Sequence, residues 1–145
     1  AVAGGTGTSD DINYIDLDNG LQLQLLRSYH KFSAYSEITN TVSSSGNITT
    51  LDLSNGQVFK TTLTEDTTIS PIVFNSISGL TNTITLKITQ DGTGGHSVNW
   101  PASTRWAGGS PPIVSSTAGD TDRFVFITDD GGTTWDGMIA GQDFS

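Results

Sequence analysis

The sequence predicts an all-β fold, an antiparallel β-sandwich of the jelly-roll type with an N-terminal arm and hairpin. Apolar residues fall mainly in short alternating stretches, and the clearest one, ITLKI, places Ile84, Leu86 and Ile88 on one face. Turn-forming dipeptides such as Asn55-Gly56 separate these stretches, and no strong helical stripe competes with them. Short strands at such close spacing are typical of a sandwich or jelly roll.

Residues 1–31 are expected to form an arm and a hairpin used for attachment or oligomerisation. Residues 1–9 are rich in glycine and have few apolar anchors, so alone in water they should be flexible. Apolar residues then alternate around Asn19-Gly20, a dipeptide that suits a type I′ turn and predicts a hairpin over residues 15–25. A helix over residues 21–31 is the alternative, because leucine and glutamine are good helix formers.

A short sequence pattern occurs twice in the chain. Residues 15–20 and 51–56 share an apolar–Asp–Leu–x–Asn–Gly skeleton. Two hairpins with the same turn type would explain the match, and a true internal repeat is the alternative.

Residues 32–145 are predicted to form the β-sandwich module. Strands are expected near residues 32–42, 47–54, 57–64, 67–75, 82–90, 95–100, 113–117, 122–129 and 133–140. The predicted core consists of Val58, Leu63, Ile69, Val73, Ile84, Leu86, Ile88, Phe124, Phe126, Trp135 and Ile139. A chain of 145 residues is long enough for one such domain with an arm.

Composition argues against several kinds of partner. The chain has 6 Lys and Arg against 15 Asp and Glu, a net charge of −9, whereas a nucleic-acid partner needs clustered cations. The absence of cysteine excludes disulfides and cysteine-built metal sites. No apolar run approaches the ~20 residues that span a bilayer. We therefore expect neither a nucleic-acid nor a membrane partner.

Catalytic and metal-binding signals are weak. Asp16 and Asp18 resemble the start of a calcium loop, but Arg27 stands where that loop needs glutamate. His30 and His96 are the only histidines, and no G-x-S-x-G elbow exists. We expect no catalytic, metal-binding or cofactor-binding residues, and not an enzyme. The less favoured alternatives are a glycosidase-like carboxylate pair and a cation held by Asp120, Asp122, Asp129 and Asp130.

Aromatic and leucine side chains are the remaining candidates for binding. Trp100 and Trp106 lie near predicted turns and are candidates for a receptor-facing surface, with burial as the alternative, whereas Trp135 is assigned to the core. The candidate contacts with other subunits or with a viral shell are Leu21, Leu23, Leu25, Leu26, Tyr29, Phe32 and Tyr35.

The last two thirds of the chain contain an ordered set of glycine- and tryptophan-rich phrases. They are ITLKITQDGTGGHSVNWP at residues 84–101, RWAGGSPP at 105–112, TAGDTD at 117–122, DDGGTTW at 129–135 and AGQDF at 140–144. In this order, they resemble a module of tailed-bacteriophage virion proteins over residues 47–145.

This resemblance implies an all-β module on the exterior of a phage particle, bound to other capsid or tail proteins. Proteins with such a module are often tail fibres or minor structural components, and many work as trimers; the resemblance transfers no catalytic residue. With the arm and the Leu-rich hairpin, it favours a small trimeric capsid decoration or cement protein that stabilises the shell. The alternative is a tail-fibre or receptor-binding tip that recognises a host surface glycan or protein.

Overall fold

The computed structural model describes residues 34–72 and 80–145, and within these ranges the fold is all-β, as predicted. Ser36–Ser145 form one compact unit. Among the described residues, no helix has the length and apolarity needed to cross a membrane. The strands are β1 (Thr39–Thr41), β2 (Ile48–Asp52), β3 (Val58–Leu63), β4 (Thr67–Ile72), β5 (Asn82–Gln90), β6 (Val98–Asn99), β7 (Thr104–Trp106), β8 (Thr121–Thr128) and β9 (Trp135–Phe144).

The strands form two sheets between which the chain winds. The large sheet has the order β1-β3-β5-β8-β9-β7, and the small sheet has the order β2-β4-β6. From β1 to β6 consecutive strands alternate between the sheets, so neighbours within a sheet are parallel. For example, Val58 of β3 pairs with Thr39 of β1 on one side and with Thr85 of β5 on the other. Strands β8 and β9 then complete the large sheet through antiparallel pairs.

The predicted antiparallel pairing is therefore wrong for most of the described strands. The expected hairpin at Asn55-Gly56 is instead a short 3-10 turn over Leu53–Asn55, which carries the chain from the small sheet to the large one. Asp52 accepts the Ser54 N–H at 2.9 Å at the start of this turn, and Gly56 ends it with φ 124°, a value that favours glycine. Alternation identifies the buried face of a strand, but it does not identify the neighbouring strand. The hairpin expected over residues 15–25 lies outside the described residues.

The inward side chains of both sheets form one core. The predicted core residues that are buried are Leu63, Ile69, Ile84, Leu86, Ile88, Phe124, Phe126 and Trp135. Val58 is only half-buried, and Val73 lies outside the described residues. The prediction for Ile139 is wrong, because this side chain is 51% exposed. The three strands of the small sheet do not cover all six strands of the large sheet, and Ile139 lies in the part of β9 beyond Gly137 that is mostly exposed.

Truncation of Phe124 should test the shared core. Phe124 is fully buried and its ring centroid lies 4.7 Å from that of Trp100. We expect Phe124→Ala to lower the free energy of unfolding by about 3–5 kcal/mol, measured by urea denaturation. Thr83→Ala is the control, because Thr83 is exposed on β5 and its loss should cost less than about 1 kcal/mol. Equal losses for the two variants would contradict this description of the core.

Candidate functional site

The described surface contains an open groove between two segments of the chain. The main groove, of about 570 Å³, is lined by residues 95–100, which include β6, and by residues from the segment 111–116. A side cleft of about 360 Å³ lies next to it and shares Trp100 and Pro111 with it. Volumes of this size are typical of ligand sites in proteins.

A buried amide at the end of β5 joins the two walls of the main groove. Gln90 is 3% exposed, and its Nε2 donates to the carbonyl oxygens of His96 and Ser115, both at 2.8 Å. Its Oε1 accepts the N–H of His96 at 3.2 Å. A further bond links the walls directly, from the N–H of Gly95 to the Ser116 carbonyl at 2.8 Å. Because buried hydrogen bonds are costly to leave unmade, the walls are held in place before any ligand arrives.

The indole of Trp100 fixes the middle of the groove. Its Nε1 donates to the Pro112 carbonyl of the opposite wall at 2.8 Å, and its ring packs edge-on against Phe124 and Trp106. Trp100 is half-buried, so one part of the ring belongs to the core and another part lines the groove. Edge-to-face aromatic packing of this kind adds about 0.5–1.5 kcal/mol per pair beyond burial.

The side cleft is built on β7, a strand that the sequence analysis missed. Thr104 and Trp106 of β7 both line this cleft. The Trp106 ring lies against Gly137 of β9, where a Cβ would come within 2.9 Å of it, so glycine permits this close packing. The buried Trp106 Nε1 and Thr104 Oγ1 have no hydrogen-bond partner among the described residues. Arg105 Nε donates to Asp136 Oδ1 at 2.8 Å, and because both side chains are exposed this ion pair adds little stability.

The turn at one end of the main groove is organised by Asp91. Its Oδ1 accepts the N–H groups of Gly94 at 2.9 Å and Thr93 at 2.8 Å, and it lies 3.2 Å from His96 Nε2. These backbone N–H groups, first of all that of Gly94, lower the pKa of Asp91 below its ordinary value. Gly94 itself has φ +70° and lies so close to the other wall that a Cβ would be 2.6 Å from the Ser116 carbonyl.

The buried carboxylate of Asp122 holds the other wall in place. Its oxygens accept the N–H groups of Ser115 at 2.7 Å and Asp143 at 2.9 Å, and the side-chain amide of Gln142 at 3.1 Å. Burial by itself raises the pKa of Asp122, but these hydrogen bonds outweigh it, so the pKa lies below its ordinary value of 3.8. Gln142 also donates to the carbonyl of Ile113, so this cluster links β8, β9 and the wall.

The candidate residues from the sequence fall into three groups. Trp100 and Trp106 come together, half-buried, along the groove and cleft, whereas Trp135 is in the core, 1% exposed. Tyr35 is exposed, at 79%. Within the described ranges, no three or more potential metal ligands cluster into a metal site. This includes the four candidate aspartates, Asp120, Asp122, Asp129 and Asp130. The candidates that lie outside the described residues are Leu21, Leu23, Leu25, Leu26, Tyr29 and Phe32.

Sequence reasoning missed Gln90 and misassigned the wall over residues 113–117 as a strand. These residues have no strand structure and are held by side chains instead. A signal for Gln90 was present, because it continues the inward-facing series of Ile84, Leu86 and Ile88. A polar residue at a core-facing position indicates that its side chain has partners inside the protein.

Comparison with protein-family models places this sequence in a phage family. The family model described as "Putative phage tail fibre C-terminal domain" matches residues 38–122, more than half of the chain. The protein belongs to this family, and the resemblance to a phage virion module is thereby confirmed. It is a structural component of a phage particle. Searches of curated proteins and of solved structures gave no significant match.

The pKa of Asp122 gives a testable dependence of stability on pH. Because the pKa is lowered in the folded state, the carboxylate stabilises the fold above pH 3.8, and this contribution is lost as the pH falls through the folded-state pKa. We expect Asp122→Asn to lower the free energy of unfolding near neutral pH by roughly 1–3 kcal/mol, because an amide NH₂ then faces N–H donors. Urea denaturation at a series of pH values should show the difference from wild type shrinking below pH 3.8. A difference that stays constant into acid would contradict this assignment.

Proposed function

We propose that this protein is a non-catalytic module on the exterior of a phage tail, where its groove recognises a structure on the host cell surface. The observation that carries the proposal is the preformed groove, whose walls are joined by Gln90 and by the bond from Trp100 to Pro112. A rigid scaffold that holds loops in a fixed arrangement is the usual basis of recognition. Both walls lie within the residues that match the tail fibre family.

Two carboxylates beside the wall at residues 95–100 support a role in binding rather than in proton donation. Asp91 accepts the backbone N–H groups of Thr93 and Gly94 at 2.8 and 2.9 Å. Asp66 accepts the backbone N–H of Ser97 at 2.7 Å. Hydrogen bonds from backbone N–H groups also lower the pKa of each carboxyl. An acid with a lowered pKa is ionised at neutral pH and is poorly suited to donate a proton. Asp91 therefore orders the turn that precedes the groove wall, and Asp66 ties that wall at Ser97 to the segment before β4.

Family membership favours the tail-fibre hypothesis over capsid decoration. The matched family is a tail fibre domain. The features that suggested a cement protein, the Gly-rich arm and the Leu-rich segment, lie within residues 1–33, outside the described residues.

A homotrimer is part of this proposal. It is supported by apolar side chains that the described unit leaves exposed, among them Ile38, Ile139 and Phe144 at 77%, 51% and 51%. Association between subunits would remove such side chains from water. Sedimentation equilibrium should give three times the mass of one 15.3 kDa chain, and a monomer at micromolar concentration would contradict the trimer.

Binding to host cells tests the proposed function. Fluorescently labelled protein should bind cells of the phage's host and reduce adsorption of the phage. Ile113→Asp should weaken binding at least about tenfold, because Ile113 lines the groove, is 89% exposed and would place a charge there. Ile48→Asp is the matched control, since Ile48 is 48% exposed on β2 and does not line the groove. Absence of wild-type binding, or equal binding by both variants, would contradict the proposal.

A further inference from the structure

We infer that the ligand of the main groove is an uncharged glycan chain, an inference that rests on the proposed function and adds the chemical class of the receptor. Three properties of the groove lead to it: its charge, the mixture of side chains on its walls, and the backbone groups that the walls offer.

The charge of the site disfavours an anionic ligand. Among the described residues that line the main groove, only His96 has a side chain that can carry a positive charge, and its Nε2 already lies 3.2 Å from Asp91. Arg105 in the side cleft is paired with Asp136 at 2.8 Å. The whole chain has a net charge of −9, which repels phosphates, uronic acids and other anions. Recognition of such anions relies on cations that remain available for the ligand.

The lining side chains suit the two-sided chemistry of a sugar ring. Trp100, Pro112 and Val98 supply apolar surface, on which the C–H face of a sugar can pack. Ser97 and Asn99 are exposed on the same groove and carry donors and acceptors that match sugar hydroxyl groups. A mostly apolar site with a few placed polar groups is the usual form of a small-molecule subsite.

An extended peptide fits this groove less well. Peptides in grooves beside a sheet gain affinity by pairing their backbone with an edge strand. The edge strand here, β6, is only two residues long, Val98–Asn99. The opposite wall begins with Pro111 and Pro112, which have no N–H to donate, and the Pro112 carbonyl is already bound to Trp100. The walls therefore offer a peptide few backbone hydrogen bonds.

Cell-surface treatments separate the chemical classes of ligand. The labelled full chain is added to untreated host cells, to cells treated with periodate, which cleaves vicinal diols of glycans, and to cells treated with a protease. We expect periodate to remove binding and protease to leave it intact. Raising the salt concentration should change binding little, because an uncharged ligand makes no ion pairs to be screened. An array of neutral and acidic oligosaccharides should show binding to neutral members.

Two variants test whether the main groove is the binding site. Asn99→Trp places a large ring in the groove from an exposed position and should weaken binding at least about tenfold. Thr50→Trp is the matched control, an exposed position on β2 of the same small sheet. Both variants should keep the circular dichroism spectrum of the wild type.

The outcomes distinguish this inference from the proposed function. If protease and not periodate abolishes binding, or if only acidic oligosaccharides bind, the glycan inference is wrong while host recognition stands. If Asn99→Trp binds glycan as the wild type does, the main groove is not the site. If the wild type does not bind untreated cells, the proposed function itself fails.

Discussion

The buried amide of Gln90 is the interaction on which the candidate site depends. Strand β5 runs through the centre of the large sheet, and its alternation carries Gln90 to the inward face. An amide that cannot reach water must find partners inside the protein, and here all three partners are backbone groups of the two groove walls. The large sheet thereby holds the segment 111–116, which pairs with no strand, against the wall that contains β6. Loss of these bonds would leave several polar groups buried without partners, each costing about 1–3 kcal/mol.

The winding of the chain explains why the groove lies where it does. The small sheet ends at β6, and the chain then leaves it for β7 at the far edge of the large sheet. Beyond β6, Trp100 and Trp106 pack on Phe124 and Phe126 of β8 and bury their inner faces. The two indoles thus cover the inward side chains of β8, which a further strand of the small sheet would otherwise cover. Their outer parts remain available to line the groove and cleft.

The family match and the physical description of the site point to the same part of the chain. Residues 38–122 include the parallel winding and both groove walls, whereas β9 lies beyond the match. Asp122, the last matched residue, accepts the N–H of Ser115 from one wall. A tail fibre domain is a virion component, and the proposed recognition of a host surface rests on the preformed walls of the groove.

The sequence by itself determined the all-β class, most strand positions, most of the core and the phage resemblance, because each depends on local patterns: alternation, turn residues and ordered short phrases. Only the tertiary structure decided the pairing of the strands and the joining of the walls. Asn55-Gly56 has the sequence of a hairpin turn, yet it crosses between sheets, because β3 pairs with β1 and β5 and not with β2. Gln90 meets Ser115, 25 residues further along the chain, only once the chain has wound, because a hydrogen bond between distant residues depends on spatial position, which local sequence does not encode.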